Sequence, residues 1–487
     1  MRLGRIRWQC HQGDPYTLGG IVVHSIGFSH PAIPVVDEAD IVVVGGGPAG
    51  IAAAVAAARQ NLKAIIIEKT GFCGGVAGMG LPIQGFDYID GTPLVRGIAW
   101  ELYRNLVTRG GAYPTLIPCK LHNPYAIIDP DQCILAIQEL LDAEHIPVWY
   151  YSHFLHAIKS SDNRLDHVVV GGKGGLHAIR GTYWIDATGD GDVAADMGIP
   201  FTVGREEDHI PQSATLNFTL ANVDLKRLGT AFVSSDTSLF DAHPLLDRKA
   251  IIDGMPHIMV GMKNLIEKIC REEHVEIHSN YVCYITGVQA GTVAINMTHI
   301  PHAMGHTLLG LSDAQQQGRR QIDTVYTFFK KYVPGFEKST ISRIASHIGI
   351  RESRHIEGLY TLRADDVIKG RFHHDTIALG GYPIDIHNPE KGDVYLQRVP
   401  PYGIPYRCMV PQKIENLLFT GRALSADHIA LASCRLIAQC VALGEAAGTA
   451  TAQACHSHTT VQKINIRKLQ SELEERGAII RAVRKEQ

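Results

Sequence analysis

One segment, residues 41–69, constrains this chain most, because it joins two apolar runs through a glycine-rich turn. It reads IVVVGGGPAGIAAAVAAARQNLKAIIIEK. The apolar runs 41–44 and 64–67 are typical of buried parallel strands. The alanine-rich stretch 49–60 between them favours a helix. The order strand, turn, helix, strand therefore predicts a nucleotide-binding α/β unit.

Three glycines of this segment, Gly45, Gly47 and Gly50, have the spacing G-x-G-x-x-G. In such a turn the first glycine permits the bend, the second admits a pyrophosphate, and the third lets helix and strand pack closely. Glu68 ends the second strand, where a carboxylate accepts hydrogen bonds from ribose hydroxyls. We therefore predict a dinucleotide site with its pyrophosphate over the helix N-terminus. The alternative, an α/β turn without a ligand, leaves these residues without a reason.

Composition narrows the class of protein further. The chain has 487 residues, of which 45% are apolar and 20% charged, as in large globular proteins. Its net charge of −3 gives no sign of nucleic acid or of an anionic membrane as a partner. Its ten cysteines form no C-x-x-C pair and no zinc spacing. We expect reduced thiols, a cytoplasmic location, no metal site and no membrane span.

Two further glycine-rich stretches follow predicted strands. Gly74 and Gly75 come shortly after Glu68, where a loop without side chains lets the backbone approach a ligand. Cys73 precedes them, and we interpret it as a packing residue rather than a redox or attachment site. The stretch YWIDATGDGD, residues 183–192, predicts a strand and a second turn facing phosphate or ribose.

Residues 349–387 concentrate side chains that are common in active sites. Arg351 and Arg354 are three residues apart, and His355 follows them. Arginines bind carboxylates with two hydrogen bonds, so this group predicts an anion-binding site. The alternative of equal weight is an internal ion-pair network with nearby carboxylates, namely Glu352, Asp365 and Asp366. The same two interpretations apply to Tyr382, His387, Tyr402 and Arg407.

Several stretches of the chain resemble one family. They are VVVGGGPAGIAAAVAAA, DATGDGDVA, GIRESRHIEGLYTLRADDV with GGYPIDIH, and YGIPYRCMVP with NLLFTGRALSADHIALASCR. Together they resemble the FAD-dependent oxidoreductases, two-domain flavoproteins distantly related to the flavoprotein subunits of fumarate reductase and succinate dehydrogenase. The resemblance implies an α/β fold with a discontinuous, Rossmann-like, glutathione-reductase-like FAD domain and an inserted α+β substrate domain.

The resemblance also implies a domain plan and a set of cofactor-binding residues. The plan has an N-terminal extension at 1–38, the FAD domain at 39–204 and 396–460, the inserted domain at 205–395, and a C-terminal helix at 461–487. No attachment histidine precedes the Gly74–Gly75 pair, so noncovalent FAD is expected. A long helix is expected to begin near Ser433 and to aim its N-terminus at the flavin pyrimidine ring. The implied cofactor residues are Gly45, Gly47, Pro48, Ala49, Gly50, Glu68, Lys69, Gly74, Gly75, Ala187, Thr188, Gly189, Asp192, Gly421, Arg422, Ser433 and Arg435.

The expected reaction is hydride transfer between flavin N5 and a small organic substrate. A carboxylate is one of the groups that this substrate can carry. Arg351 and Arg354 are expected to hold the substrate, and His355, Tyr382 or Arg407 to transfer a proton. One alternative is a subunit that passes electrons to a partner protein. That partner would have to carry any iron–sulfur cluster, because this chain has no iron–sulfur cysteine cluster of its own. Another is a non-redox enzyme with structural FAD. A homo-oligomer and the identity of the electron acceptor are left open.

Overall fold

The computed structural model describes residues 17–18, 21–22, 32–234, 238–390 and 392–481. Their strands are β1 (Thr17–Leu18), β2 (Ile21–Val22), β3 (Val35–Val44), β4 (Ala64–Ile67), β5 (Ile83–Gln84), β6 (Tyr125–Ala126), β7 (Val148–Trp149), β8 (His153–Ser161), β9 (Arg164–Gly172), β10 (Gly175–Asp186), β11 (Phe201–Val203), β12 (Phe218–Ala221), β13 (Ile258–Gly261), β14 (Val282–Thr286), β15 (Val293–Ile295), β16 (Thr340–Ile344), β17 (Arg354–Ile356), β18 (Thr376–Gly380), β19 (Ile384–His387), β20 (Val394–Gln397), β21 (Tyr402–Pro405) and β22 (Leu417–Phe419).

The helices of the same residues are α1 (Pro48–Ala58), α2 (Ile98–Thr108), α3 (Pro130–Ala143), α4 (Asp192–Asp196), α5 (Leu225–Ser234), α6 (Arg248–Asp253), α7 (Lys263–Glu273), α8 (Leu308–Tyr332), α9 (Ala364–Ile368), α10 (His428–Cys434), α11 (Ile437–His456) and α12 (Ile466–Glu475). Short 3₁₀ turns cover Gly75–Met79, Tyr406–Met409, Gly421–Ala423 and Val461–Lys463.

A seven-stranded sheet forms the centre of the first structural unit. Its order is β7-β4-β3-β10-β9-β8, and β22 pairs with β10. Strands β3, β4, β7, β10 and β22 are parallel, whereas β8 and β9 join the edge antiparallel. Because β22 comes from residues 417–419, the chain returns to this sheet after a long excursion. The predicted α/β fold with a discontinuous dinucleotide domain is confirmed.

Two small-residue helices, α1 and α11, pack closely together. A Cβ at Gly444 would lie 2.0 Å from the carbonyl oxygen of Ala49, and one at Gly448 would lie 2.1 Å from that of Ala53. Such distances are shorter than any real contact, so only glycine permits this approach. The alanine-rich sequence of both helices therefore serves the packing of the α1 turn, whose position governs the dinucleotide site.

A second sheet lies in the inserted part of the chain, with the antiparallel order β13-β14-β15-β12-β16. It has its own apolar core with helix α8, in which Leu216, Tyr284 and Phe329 are fully buried. We expected this helix over 312–330 with Ser312 as its cap. It begins at Leu308 instead, because the hydroxyl of Thr307 accepts the N–H of Gly310 at 3.1 Å.

The helix expected to begin near Ser433 is a second correction. Asp427 caps a short helix, α10, which contains Ser433, and α11 begins only at Ile437. The two helices meet at 94°. The predicted domain boundaries stay a prediction. Of the predicted 1–38 extension, most lies outside the described residues, and its last residues already belong to β3.

Candidate active site

A cavity of about 1340 Å³ opens at the carboxyl ends of the parallel strands. Val44 ends β3, Ile67 ends β4, and Thr420 follows β22, and all three line it. From there the cavity extends to the inserted sheet, where Cys283 and Ile285 of β14 line it. The carboxyl edge of a parallel sheet is where ligands bind in this class of fold. The volume exceeds that of a usual small-molecule pocket.

The glycine turn forms one end of the cavity. Gly45 has φ +105°, and a Cβ there would lie 2.4 Å from the carbonyl oxygen of Ala187. A Cβ at Gly50 would lie 1.8 Å from the carbonyl oxygen of Gly45, so Gly50 serves packing and does not line the cavity. A Cβ at Gly47 would meet no protein atom within 4 Å and would project into the cavity. No side chain caps α1, so the N–H groups of its first turn are available to an anion. Pro48 and Ala49 of this turn line the cavity.

Glu68 lies beside this turn and lines the cavity, with 7% of its surface exposed. Its Oε2 accepts the N–H of Gly46 at 2.7 Å, and Oε1 accepts that of Thr70 at the same distance. A carboxylate has about four acceptor positions, so capacity for ribose hydroxyls remains. Lys69 lines the cavity next to it.

Of the glycine pair that follows, Gly75 lines the cavity and Gly74 does not, which corrects the prediction for Gly74. Gly74, at φ +125°, turns toward Ile137 of helix α3, where a Cβ would come within 3.0 Å. Cys73 is also buried away from the cavity, and burial followed by the charge of Glu68 raises its pKa to about 12. A thiol in that environment packs rather than reacts.

The loop after β10 supplies the neighbouring wall through Ala187, Thr188, Gly189 and Asp192. Asp186 holds this loop from below. It accepts the Thr188 N–H at 3.1 Å and hydroxyl at 2.7 Å with Oδ1, and the Ala194 N–H at 2.8 Å with Oδ2. Burial raises the pKa of Asp186 to about 6.

The opposite end of the nucleotide region is formed by the turn after β22 and by the N-terminus of α11. Gly421, Arg422 and Arg435 line the cavity, and Arg422 is fixed by an ion pair with Asp190 at 2.6 Å. No side chain caps α11, whose first residues face the cavity. Ser433 does not reach it, because its hydroxyl donates to the carbonyl of Tyr382 at 2.5 Å and accepts from Tyr402 at 2.8 Å.

Two half-buried arginines from distant parts of the chain, Arg351 and Arg435, both line the cavity. Arg351 donates to the carbonyl of Ser213 at 2.6 Å and to Asn296 Oδ1 at 3.3 Å. Arg435 donates to Gln212 Oε1 at 3.2 Å and to the carbonyl of Asp385 at 3.0 Å. All these acceptors are neutral oxygens. Burial, and then the charge of Arg435, lowers the pKa of Arg351 to about 10. The carboxylate of Asp385 acts on both guanidiniums, so two positive charges face one negative charge, and the pair forms a site for a further anion.

Arg354 and His355 do not line this cavity, which corrects their predicted catalytic role. Arg354 pairs with Asp192 at 2.8 Å and holds the loop after β10. His355 is held between Glu352 Oε1 at 2.8 Å and the carbonyl of Ala426 at 2.6 Å. Burial opposes the charge of Glu352, but His355 and His428 hold its pKa at about 2. For these residues the ion-pair interpretation describes the structure, with Glu352 as a correctly expected partner.

Arg407 is a further correction, because it lies outside the cavity-lining set. Its Nε pairs with the buried carboxylate of Asp375 at 2.9 Å, and its guanidinium lies over the ring of Tyr360. An arginine already paired with a buried carboxylate is held in the structure and has no substrate to contact there.

Tyr382 and His387 do line the cavity, and His122 and Asp385, which the sequence did not single out, line it with them. Its ring stacks on His122 with centroids 6.1 Å apart and planes inclined by 10°. The Nδ1 of His122 is buried without a hydrogen-bond partner among the described residues. Asp385 and His387 follow on β19, with His387 Nε2 3.4 Å from Asp385 Oδ1. His122 stands alone in its segment, so no local pattern could have revealed it.

Burial and neighbouring charges set the protonation states of the titratable groups in this cluster. Burial raises the pKa of Tyr382 well above its usual range, so its hydroxyl stays protonated. Burial lowers the pKa of His122, and burial together with Arg351 lowers that of His387 to about 4. Neutral imidazole can accept a proton, and the tyrosine hydroxyl can donate a hydrogen bond.

Two other features bear on the kind of site. Among the residues that the structure describes, no group of three or more His, Cys, Asp or Glu side chains is arranged to hold a metal ion. Within the same part of the chain, no single helix has the length and apolar character for a membrane crossing. Helices α10 and α11 have that length and apolar character only when they are counted together as one bent pair.

The glycine turn, the acidic residue after β4 and the cavity at the sheet edge define a dinucleotide-binding α/β protein. The family model described as FAD dependent oxidoreductase matches residues 40–473, and the chain belongs to this family. Its cofactor is FAD, and the residues present fit it. The Gly47 turn leaves room that a side chain would fill, and Thr420 Oγ1 and Arg435 Nε are buried at the cavity without hydrogen-bond partners among the described residues.

The chain is also similar to solved flavoprotein structures. A geranylgeranyl bacteriochlorophyll reductase-like protein from Thermoplasma acidophilum is 14% identical, over 90% of this chain and 84% of that one, with a TM-score of 0.44. The L-proline dehydrogenase from P. horikoshii is 14% identical, over 91% and 99%, with a TM-score of 0.43. A flavoprotein/dehydrogenase from Cytophaga hutchinsonii is 12% identical, over 90% and 84%, with a TM-score of 0.42. At these values the similarities carry no information about substrate.

Proposed function

We propose that this FAD-dependent oxidoreductase transfers a hydride between FAD and an organic substrate that bears a carboxylate. The observation that carries the proposal is the pair Arg351 and Arg435. Both guanidiniums are directed by the adjacent residues Gln212 and Ser213, and both line the cavity. Two half-buried cations whose hydrogen bonds all go to neutral oxygens are stabilised by a bound anion.

In this proposal FAD supplies the hydride acceptor or donor when it is bound. Arg351 and Arg435 fix the carboxylate of the substrate and so orient its reacting carbon. His122 accepts or returns the proton of the substrate. The ring of Tyr382 stacks on His122, and its hydroxyl donates a hydrogen bond to a polar substrate atom. The neutral state of His122, which its burial favours, suits it to accept a proton first.

We further propose that the protein acts on small molecules in the cytoplasm, without nucleic acid or membrane as a partner. The net charge of −3 supports this, because it provides no excess of basic groups for an anionic surface.

The test is anaerobic reduction of the bound flavin by a panel of 2-hydroxy acids, amino acids and unfunctionalised acids, followed at the flavin absorption band. Arg351→Gln should retain FAD and lose about ten- to hundredfold in kcat/KM, the loss expected for one hydrogen bond to a charged group. The matched control is Arg407→Lys, which keeps the pair with Asp375 and should react like the unaltered protein. Flavin reduction at the unaltered rate by Arg351→Gln would refute the assignment.

A further inference from the structure

We propose that the substrate carries an extended apolar group beside its carboxylate, and that this group lies along the cavity-facing side of strands β13 and β14. The inference rests on the proposed function, because it places the carboxylate at Arg351 and Arg435. It names the class of substrate as a monocarboxylic acid with an alkyl or aryl arm, rather than a small dicarboxylic acid.

The first observation is the alternation of side chains on the two strands. Ile258 and Val260 of β13, and Cys283 and Ile285 of β14, all line the cavity. They form two cross-strand pairs, Ile258 with Ile285 and Val260 with Cys283. Successive residues of a strand point to opposite faces, and directly opposed residues are in contact. These four side chains are therefore one continuous apolar wall.

The intervening residues of the two strands point to the opposite face of the sheet. Met259 and Tyr284, which point the other way, are fully buried in the apolar core of the inserted domain. The core beneath the sheet is thus complete on that face. Ile258, Cys283 and Ile285 belong to the same buried cluster but also line the cavity, as do Leu121 and Leu396.

The wall begins at the arginine site. The N–H of Asn296 donates to the carbonyl of Cys283 at 3.0 Å, and Arg351 donates to Oδ1 of the same asparagine. A carboxylate held by Arg351 therefore has the Val260–Cys283 pair next to it and the Ile258–Ile285 pair further along. Lys263 also lines the cavity, and its Nζ lies 3.7 Å from the carboxylate of Glu267.

The hydrophobic effect favours an apolar substrate group against this wall. Apolar surface gains free energy when it is removed from water, in proportion to the area covered. A substrate with a methylene or aromatic arm covers the wall, whereas a small dicarboxylic acid places a charge against it. A charge without a partner in an apolar environment is strongly disfavoured.

The experiment uses the FAD-loaded protein and a series of straight-chain monocarboxylates from acetate to octanoate, with binding measured by calorimetry and by perturbation of the flavin spectrum. We expect the dissociation constant to fall by about fourfold for each added methylene that contacts the wall. Alkylamines of equal length should bind more weakly, because two guanidiniums repel them. Val260→Asp should flatten the series, so that octanoate loses more affinity than acetate does.

The outcomes separate this inference from the proposed function. If acetate binds and Arg351→Gln abolishes that binding, but lengthening the chain has no effect, the apolar arm is refuted and the arginine site stands. If no carboxylate binds, or Arg351→Gln binds them as the unaltered protein does, the carboxylate assignment itself fails. The series on the unaltered protein decides the question even where Val260→Asp does not fold.

Discussion

Glu445 places a carboxyl group inside helix α11 with 2% of its surface exposed. Its Oε2 accepts the N–H of Ile98 at 3.0 Å, and Gly97 leaves the space for it. The nearby Arg59 is already paired with Glu101 and Glu144, both at 2.7 Å. Burial therefore dominates and raises the pKa of Glu445 from 4.5 to about 7. We predict that ionisation of this group destabilises the fold, and that Glu445→Gln removes the effect.

The sign and size follow from linkage. Between the two pKa values the folded state keeps a proton that the unfolded state has lost, so the free energy of unfolding falls as pH rises. Below 4.5 both states are protonated, and above about 7 both are ionised, so the change is confined to this window. A difference of about 2.5 between the pKa values corresponds to about 3 kcal/mol.

The assay is urea unfolding of the FAD-saturated protein and of Glu445→Gln, from about pH 4 to about pH 8. We expect the stability of the variant relative to the unaltered protein to rise by about 3 kcal/mol across this range. The glutamine amide also changes the free energy of unfolding by an amount that does not depend on pH. This amount cancels, because only the change of the free energy with pH is compared. Parallel stability curves for the two proteins would refute the reasoning.

Two further predictions concern the cofactor. Gly47→Val should weaken FAD binding more than tenfold, about 1.4 kcal/mol, and leave the apoprotein as stable as before, because the new Cβ lies in open space at the cavity with no protein atom within 4 Å. Gly50→Val, its matched control, should destabilise the apoprotein itself, since its Cβ meets the Gly45 carbonyl; equal unfolding midpoints for both would contradict this. Precipitation of the protein with acid should release all yellow colour into the supernatant, because Cys73 lies buried outside the cavity. Flavin retained in the pellet would require a covalent bond and a different account of that thiol.

Local sequence was enough to predict the nucleotide turn. The bend at Gly45 and the close packing at Gly50 are stereochemical requirements that only glycine meets, so the spacing itself reports them. The strands and α1 followed from apolar runs and alanine content. Element starts were less accurate. Thr307 begins α8 before the expected position, whereas Asp427 caps a separate short helix, α10, which contains Ser433, so that the long helix α11 begins later than expected.

The catalytic half of the site was decided by tertiary structure. In the sequence, Arg351, Arg354 and Arg407 are three similar candidates, and only their partners separate them. Asp192 and Asp375 neutralise two of them, whereas Arg351 is directed by neutral oxygens into the cavity.

By itself, then, the sequence determined the α/β fold, the family and FAD, because these depend on contacts between residues close along the chain. The tertiary structure alone brought Arg435 and Arg351 to one cavity and His122 beside Tyr382, and it placed the apolar side chains of β13 and β14 in the same cavity. Such contacts join residues tens to hundreds of positions apart. The packing of the two sheets around the cavity sets the geometry of these contacts. No periodic pattern in the sequence encodes that packing.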